Sequence, residues 1–333
     1  MKRRHPLVSV IIPTFNCAAY LPEAIESGLA QTWPSREIVV VDDGSTDDTP
    51  DILRGYGERI RWVRQENRGI GGARNTGIRA AKGDLIAFLD ADDVWLPRKL
   101  ELQVLGLERC PEAALTFTES DLFDEHGIVL EKMIPNRRAL AAKFAVLDPR
   151  EGISAGWFYY DLLLQECMHV SSVLVRRNCL SVTGLFDESL PSGSEDYDLW
   201  LRFACRWPVV LVDQVLTRYR LRGGSTSPSA WRERISVWRA NHRPIRARHL
   251  ASLPALQRRE PRRELADYLL LDGWVELQAG RLREARALFR RSVGFGGPAV
   301  RAARYWAASY LPAPVRQAIR DLRSVRSRRA STA

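Results

Sequence analysis

Short apolar runs alternate with stretches of helical periodicity along the first third of the chain. The runs have the length and bounds of buried strands, and they occupy residues 7–12, 36–41, 60–63 and 84–89. The helical stretches lie between them, at residues 21–32, around 49–53, and at 70–81. Strands that are apolar throughout and alternate with helices indicate an α/β fold, with a mostly parallel sheet and helices on both faces.

The pattern becomes looser after residue 114. Strands are predicted at 114–118 and 173–175, with a pair of closing strands at 209–212 and 216–220, whereas residues 130–165 look irregular. A hairpin-like turn is predicted at 124–127. Nearer the N-terminus, Ser45 and Thr46 are typical N-cap residues, so we expect them to cap the helix around 49–53.

Polar side chains follow three of the predicted strands at the points where the strands end. These strand ends carry Pro13-Thr14, Asp42-Asp43 and Asp90-Ala91-Asp92-Asp93. Because ligands of such sheets bind beyond the carboxyl ends of the strands, we expect these groups to share one rim. Buried carboxylates cost several kcal/mol each unless positive charge lies among them, so the last cluster indicates a divalent cation held by oxygen ligands. The alternative is a hydrated turn whose acids cap the next helix.

A second acidic group opens a predicted helix near residue 195. The first turn of this helix holds Glu195, Asp196 and Asp198. Acids at a helix N-terminus are favoured by the helix dipole, by about 0.3–1 kcal/mol each. This helix therefore has a purely structural explanation as well as a functional one.

The charge of the chain is unevenly distributed. Residues 1–227 carry 27 basic and 32 acidic side chains, whereas residues 228–333 carry 23 arginines, no lysine and 8 acids. The net charges are therefore −5 and +15. This asymmetry, with the Gly- and Ser-rich stretch 223–227, predicts a domain at 1–227 and an Arg-rich region at 228–333.

The Arg-rich region has helical periodicity. Residues 264–278 and 282–293 are predicted to form an antiparallel pair with Gly280 between them, similar to a single tetratricopeptide unit. Residues 315–329 form a basic amphipathic tail. A solvated terminal helix, a helix lying on an anionic membrane and a nucleic-acid-binding arm are all compatible with this tail. We favour the first two and expect no nucleic-acid partner.

The overall composition indicates an ordinary globular protein. Of the 333 residues 45% are hydrophobic, and no apolar run approaches the roughly 18 residues that span a bilayer. The apolar run after the basic N-terminus is too short for a secretory signal. The five cysteines form no CxxC pair, which favours reduced thiols over a disulfide framework or a zinc site. We therefore expect a cytoplasmic protein, with a peripheral position at the inner face of the membrane as a variant.

Five blocks of sequence resemble family-2 glycosyltransferases of the GT-A fold. The blocks lie in this order at residues 8–16, 42–47, 67–69, 73–77 and 90–93. The pair Glu195-Asp196, followed by Trp200 and Arg202, resembles the acceptor-side motif of the same family. The resemblance covers residues 6–225 and implies an inverting, metal-dependent hexosyl transfer. The donor that the resemblance implies is a nucleotide-diphosphate sugar, with UDP as the expected nucleotide, and the implied acceptor is a hydroxyl of a glycan or of a lipid-linked saccharide.

The resemblance also implies roles for individual residues on the donor side. The implied nucleotide-sugar contacts are Pro13, Thr14, Asp42, Asp43, Arg74, Asp90, Ala91 and Arg222. Asp92 would bind Mg²⁺ or Mn²⁺ directly, Asp90 would contact the ribose or the metal shell, and Asp93 would cap the following helix. Many relatives have a metal- or phosphate-binding histidine where this chain has Arg222, which binds phosphates but cannot ligate a metal.

On the acceptor side, the resemblance implies that Asp196 is the general base and that Glu195 supports it. The irregular region 120–165 would then determine the sugar and the acceptor. A dinucleotide-dependent oxidoreductase is a weaker interpretation, because Arg74 stands where a dinucleotide loop beginning at Gly69 needs its third glycine. The other alternative is a non-catalytic scaffold that acts through the basic helical region.

Overall fold

The computed structural model describes residues 5–134, 143–164, 168–222, 241–249, 251–252, 266–267, 269–270, 273–274, 276–277 and 280–311. The chain divides into two compact units, Met1–Arg234 and Ile235–Ala333. The boundary predicted at residue 227 lies outside the described residues.

The first unit is built around one mixed sheet. Its strands are β1 (Val8–Thr14), β2 (Arg36–Asp42), β3 (Arg61–Arg64), β4 (Leu85–Phe88), β5 (Val94–Trp95), β6 (Leu115–Asp124), β7 (Gly127–Leu130), β8 (Ala145–Asp148), β9 (Ile153–Gly156), β10 (Val173–Arg176) and β11 (Val209–Arg220). The order is β3-β2-β1-β4-β10-β6-β11-β9-β8, with β5 paired to β11 and β7 to β6. The first four strands are parallel, and β10 runs antiparallel between β4 and β6.

Helices connect and cover these strands. They are α1 (Leu21–Leu29), α2 (Thr49–Gly55), α3 (Gly69–Ala80), α4 (Lys99–Arg109), α5 (Tyr159–Leu164), α6 (Leu180–Thr183) and α7 (Glu195–Ala204). Three residues of α1, Leu21, Ala24 and Ile25, are fully buried, which is the apolar stripe that its periodicity predicts. The α/β class, the helix α3 and the helix beginning at Glu195 are therefore confirmed.

Three local predictions are wrong. The predicted pair of closing strands is one strand, β11, which shifts register between Val212 and Thr217. The region expected to be irregular contains β8, β9 and α5. Neither Ser45 nor Thr46 caps α2, which begins at Thr49 after Asp48, because both hydroxyls form hydrogen bonds with Asn16 instead.

The helix α3 lies directly on β1 because a glycine faces the strand. A Cβ at Gly77 would overlap the side chain of Ile11, which is fully buried and β-branched. We expect Gly77→Ala to lower the free energy of unfolding by about 1–3 kcal/mol, because overpacking outweighs the better helix propensity of alanine. Urea unfolding measures this change. The matched control is Gly55→Ala in α2, where a Cβ meets no atom within 4 Å, and equal effects of the two variants would contradict this packing.

The second unit is helical in its described part. Helices Leu282–Gly294 and Ala299–Ala308 follow a turn at Gly280, whose φ of 78° favours glycine. Their small core contains Leu270, Leu277, Ala285, Phe289 and Ala302. The helix Ala299–Ala308 was not predicted, and the basic tail 315–329 lies outside the described residues. No helix among the described residues is long and apolar enough to cross a bilayer.

Candidate active site

The carboxyl ends of β1 and β2 meet at one rim of the sheet. Thr14 lies opposite Asp42 in the parallel register, and the Asp43 amide donates to the Thr14 carbonyl at 2.8 Å. All three side chains are buried, and the Thr14 hydroxyl has no hydrogen-bond partner among the described residues. The structure therefore brings Pro13, Thr14, Asp42 and Asp43 together, and it leaves a buried hydroxyl that a ligand could engage.

Asp43 also fixes the start of α3. Its Oδ1 accepts hydrogen bonds from Gln65 Nε2 at 2.6 Å and from the Arg68 amide at 2.9 Å. Because Arg68 directly precedes α3, the same carboxylate that faces the rim also holds the N-terminus of this helix. The acid expected beside the nucleotide thus has a structural role as well.

The loop after β4 places three carboxylates close to three arginines. Asp90 Oδ1 lies 2.8 Å from Arg74 Nη2, and Asp92 Oδ2 lies 2.6 Å from Arg222 Nε. The Arg220 guanidinium fixes the loop from behind by donating its Nε–H to the Asp92 carbonyl at 2.8 Å. Arg222 therefore occupies the place beside Asp92 that the sequence assigned to a metal ion or a phosphate.

Asp93 is a buried part of this loop and does not cap a helix. Its Oδ2 accepts a hydrogen bond from Ser171 Oγ at 2.6 Å, and its Oδ1 accepts one from the Arg220 amide at 3.0 Å. The residue that precedes α4 at the cap position is Arg98. The expected capping role is therefore wrong, because the 3₁₀ turn Val170–Ser172 and the end of β11 bind the carboxylate instead.

His169 belongs to the same cluster, although the sequence analysis missed it. Ligand atoms of Asp90, Asp93 and His169 all lie within 4.8 Å of one another. His169 precedes β10, which is antiparallel to β4, so the start of β10 lies beside the end of β4. The available signal was the apolar run 173–175 with a histidine just before it. That histidine lies at the rim only because β10 runs antiparallel to β4, which the sequence did not predict.

The protonation state of His169 suits a metal ligand. Its Nε2 lies 3.5 Å from Asp93 Oδ2, and its buried Nδ1 has no hydrogen-bond partner among the described residues. Burial lowers the pKa of His169 to about 4, so the imidazole is neutral at neutral pH. A neutral ring with one unpaired nitrogen beside two carboxylates is a donor set that fits a divalent cation.

The carboxylates themselves are short of positive charge. Burial raises the pKa of Asp92, and the neighbouring Asp90 raises it further, although Arg222 opposes the shift. Burial also raises the pKa of Asp93 well above its usual range, with Asp92 and Asp90 adding to the effect. The pKa values of Asp92 and Asp93 are thus raised although three arginines contact the loop, and a bound cation would relieve the repulsion between the carboxylates.

Arg74 joins this loop to the acidic N-terminus of α7. The Arg74 side chain is 3% exposed, and its Nη1 lies 2.5 Å from Glu195 Oε1 while Nη2 contacts Asp90. Burial opposes its charge, but the carboxylates of Asp90, Glu195 and Asp196 together raise the pKa of Arg74. Both Nη atoms of Arg74 are thus engaged by carboxylates, whereas its buried Nε has no hydrogen-bond partner among the described residues.

The two acids that open α7 have different surroundings. Glu195 is bound by Arg74 and by the Ser194 amide, which donates to its Oε2 at 3.0 Å. Asp196 accepts a hydrogen bond from the Tyr197 amide at 2.8 Å and is 9% exposed. Asp198 is paired with Arg202 at 2.8 Å. The structure therefore supports a fixed Glu195, a more accessible Asp196 and a structural Asp198.

Known proteins share this sequence and this fold. The sequence pattern of the family described as Glycosyl transferase family 2 matches residues 9–152. The chain is 35% identical to the uncharacterized glycosyltransferase RP339 of Rickettsia prowazekii over 227 residues. This aligned region covers 68% of this chain and 67% of the relative. The chain is also 32% identical to the putative teichuronic acid biosynthesis glycosyltransferase TuaG of Bacillus subtilis, over 70% of this chain and 86% of that protein. By contrast, the matched region spans 37% of a Rickettsia felis relative.

Solved structures of low sequence identity share the fold. S. aureus TarS 1-349 in complex with UDP-GlcNAc has a TM-score of 0.54 at 20% identity, covering 95% of this chain and 92% of that one. The mannosyltransferase PcManGT of Pyrobaculum calidifontis, in complex with GDP-Man and Mn²⁺, has a TM-score of 0.59 at 22% identity, covering 95% and 83%. The sequence identity to these relatives and the shared architecture lead to one conclusion: the chain belongs to the family-2 glycosyltransferases and has their GT-A fold.

Proposed function

We propose that this glycosyltransferase moves a sugar from a nucleoside-diphosphate sugar to a hydroxyl of a glycan or a lipid-linked saccharide, with inversion at the anomeric carbon. UDP is the proposed nucleotide. The observation that carries the proposal is the convergence of the acidic loop after β4 with the Glu195-Asp196 pair, joined by Arg74. The proposed leaving-group site and the proposed base site then lie on opposite sides of the buried Arg74 guanidinium.

The donor nucleotide would bind at the rim formed by β1, β2 and β4. The residues proposed for this site are Pro13, Thr14, Asp42, Asp43, Asp90 and Ala91. The buried, unpaired hydroxyl of Thr14 supports this placement, because it would gain a partner when a ligand binds. Arg222 would contribute its permanent positive charge to the diphosphate, since its guanidinium already lies beside the acidic loop.

A divalent cation, Mn²⁺ or Mg²⁺, would be held by this loop. We propose Asp90 and His169 as ligands with Asp93 beside them, and Asp92 as a further ligand once Arg222 turns to the diphosphate. The unpaired Nδ1 of His169 and the unbalanced carboxylates support this assignment. When bound, the cation would act as a Lewis acid that stabilises charge on the departing diphosphate. Mn²⁺ is present with GDP-Man in the PcManGT structure.

The chain itself would supply the base. Asp196 would accept the proton of the acceptor hydroxyl as that oxygen attacks the anomeric carbon. Glu195 would not take the proton, because its carboxylate is already bound by Arg74 and by the Ser194 amide. Exposed aromatic side chains of Trp157 and Tyr160, at 65% and 38%, lie in the region that we expect to choose the acceptor. Aromatic faces of this kind suit the apolar faces of sugar rings.

The test is a transfer assay on the purified chain. With Mn²⁺ present, UDP and GDP sugars are offered with a panel of glycan and lipid-linked acceptors, and the released nucleoside diphosphate is measured. We expect release that depends on both the donor and the acceptor. Failure of every donor to react would overturn the proposed function.

We further propose that the protein is cytoplasmic and contacts an anionic membrane through its basic C-terminal part. Residues 280–311 carry seven arginines and one acid, and Trp306 and Tyr310 are exposed beside them. Aromatic and cationic side chains on one helical region are typical of interfacial binding. The basic tail 315–329 would add further charge.

The full chain should bind vesicles that contain phosphatidylserine and should not bind vesicles of phosphatidylcholine alone. Binding should weaken as salt approaches about 1 M, where the Debye length falls to about 3 Å. Vesicle co-sedimentation measures both effects. A chain ending at residue 311 separates the tail from the helices before it. Binding that ignores lipid charge or salt would contradict the proposal.

A further inference from the structure

One buried arginine contacts both sides of the candidate active site. We infer that Arg74 is a positioning residue that sets the geometry of the base pair Glu195-Asp196 from the donor side, and that it does not bind the nucleotide itself. The inference rests on the proposed function, because it assigns a role within that same site. It is carried by the two short ion pairs of Arg74, with Asp90 at 2.8 Å and with Glu195 at 2.5 Å.

The guanidinium of Arg74 has little freedom to reach a ligand. It is 3% exposed, and its carbon Cζ lies 5.4 Å from the centre of the Phe186 ring, so one face is covered. Each Nη atom already has a carboxylate partner, and the remaining donor, Nε, is buried without a hydrogen-bond partner among the described residues. A side chain held on two sides and covered on a third is suited to fixing its partners and poorly suited to following a substrate.

The residue after Arg74 fixes the approach to α7. Asn75 accepts a hydrogen bond from the Phe186 amide at 3.0 Å and donates its Nδ2–H atoms to the Phe186 carbonyl and to Glu188 Oε1, both at 2.9 Å. Asn75 is 2% exposed. The segment that leads into α7 is therefore tied to α3 at a side-chain amide as well as at Arg74.

The helix α3 also comes close to α7 at a glycine. A Cβ at Gly71 would lie 3.5 Å from Glu195 Cγ and 3.8 Å from Glu188 Cα, so the helix surface already touches the acid. At the N-terminus of α3, the Asp43 carboxylate accepts a hydrogen bond from the amide of Arg68, the residue just before the helix. The first turns of α3 thus connect a nucleotide-side acid to the acid that precedes the base.

A positioning role for Arg74 predicts different effects on nucleotide affinity and on kcat. If Arg74 orients Glu195, and through it the neighbouring Asp196, a substitution that keeps a positive charge beside Asp90 should misplace the base while the nucleotide rim stays intact. A phosphate contact would have the opposite result, with nucleotide affinity and turnover falling together. The two roles are therefore separable by measuring affinity and kcat on the same variants.

The test compares Arg74→Lys, Arg74→Gln and Glu195→Gln with the double variant Arg74→Gln/Glu195→Gln. For Arg74→Lys we expect kcat to fall by about 10²-fold or more, the cost of a misplaced reacting group, whereas the Kd for UDP with Mn²⁺ stays within about threefold. Isothermal titration calorimetry gives the Kd without relying on turnover. Loss of UDP affinity as large as the loss of kcat would overturn the inference.

The double variant tests whether Arg74 acts through Glu195. Because the two side chains form one unit, the effects on kcat should be clearly less than multiplicative. Fully multiplicative effects would overturn the inference. The double variant also removes both charges, so it leaves no unpaired buried carboxylate on Glu195 if Arg74→Gln alone proves unstable.

Arg79→Gln is the matched control, since Arg79 is an exposed arginine on the same helix. It should change neither kcat nor the Kd for UDP, and a drop in kcat as large as that of Arg74→Lys would overturn the specific role of Arg74. The proposed function fails separately, when the unaltered protein transfers no sugar. An active parent whose Arg74 variants keep full kcat overturns the positioning role alone.

Discussion

Replacement of Asp196 by asparagine should lower kcat for sugar transfer by about 10²–10⁴-fold, the usual contribution of a positioned general base. An amide cannot accept the proton of the acceptor hydroxyl. The fold should persist, because the Asn oxygen can still accept the hydrogen bond that the Tyr197 amide gives to Asp196 at 2.8 Å. The Kd for UDP should be unchanged, since the nucleotide is proposed to bind at the opposite side of Arg74. Steady-state kinetics and calorimetry measure the two quantities.

Asp198→Asn is the control from the same helical turn. The Asp198 carboxylate is paired with Arg202 at 2.8 Å, and Arg202 donates to the Thr183 and Leu185 carbonyls, so this acid holds α7 to the end of α6. We expect a lower melting temperature with most of kcat retained. If Asp196→Asn keeps full activity, or if the two variants lose activity equally, Asp196 is not the base.

The second large effect should come from the cation. A chelator should abolish transfer and weaken UDP binding, and both should return with added Mn²⁺. His169→Gln should raise the Mn²⁺ concentration needed for half-maximal UDP binding by at least about 10–100-fold, the cost of losing even an outer-shell partner of a metal. The reason is that glutamine lacks the imidazole ring that lies beside Asp90 and Asp93.

A Mn²⁺ titration of UDP binding measures this effect without turnover. His126→Gln is the control, because this imidazole is 84% exposed at the tip of the β6–β7 hairpin. An unchanged Mn²⁺ requirement for His169→Gln would remove His169 from the metal shell. A large effect of Asp92→Asn in the same titration would then favour Asp90 and Asp92, the pair that the sequence predicts, as the metal-binding residues.

The sequence was informative wherever one local pattern determined the structure. Continuous apolar runs identified β1, β2 and β4, and the polar residues after them lie at one rim as expected. β11 was misread as two strands because Asp213 and Gln214 resemble a turn. In the structure, register shifts on both sides of Val215 keep these polar residues inside a single strand.

The missed features depend on contacts between distant parts of the chain. Arg74 meets Glu195 121 positions away, and Asp92 meets Arg222 130 positions away. No period or motif encodes these partners, so the helical arginine looked available for a phosphate. Ser45 was misassigned for the same reason. Its hydroxyl accepts a hydrogen bond from the Asn16 amide at 3.0 Å, a residue of the loop after β1.

The end of β11 has a practical consequence for shortened forms of the protein. Arg220 and Arg222 both hold the acidic loop, and Arg222 also donates to the Cys17 sulfur at 3.0 Å. These two arginines are thus counter-charges of the acidic loop after β4. A catalytic fragment cut before residue 222 would keep every strand of the sheet yet lose the guanidinium that balances Asp92. We therefore expect an active fragment to need residues beyond Arg220, where β11 ends.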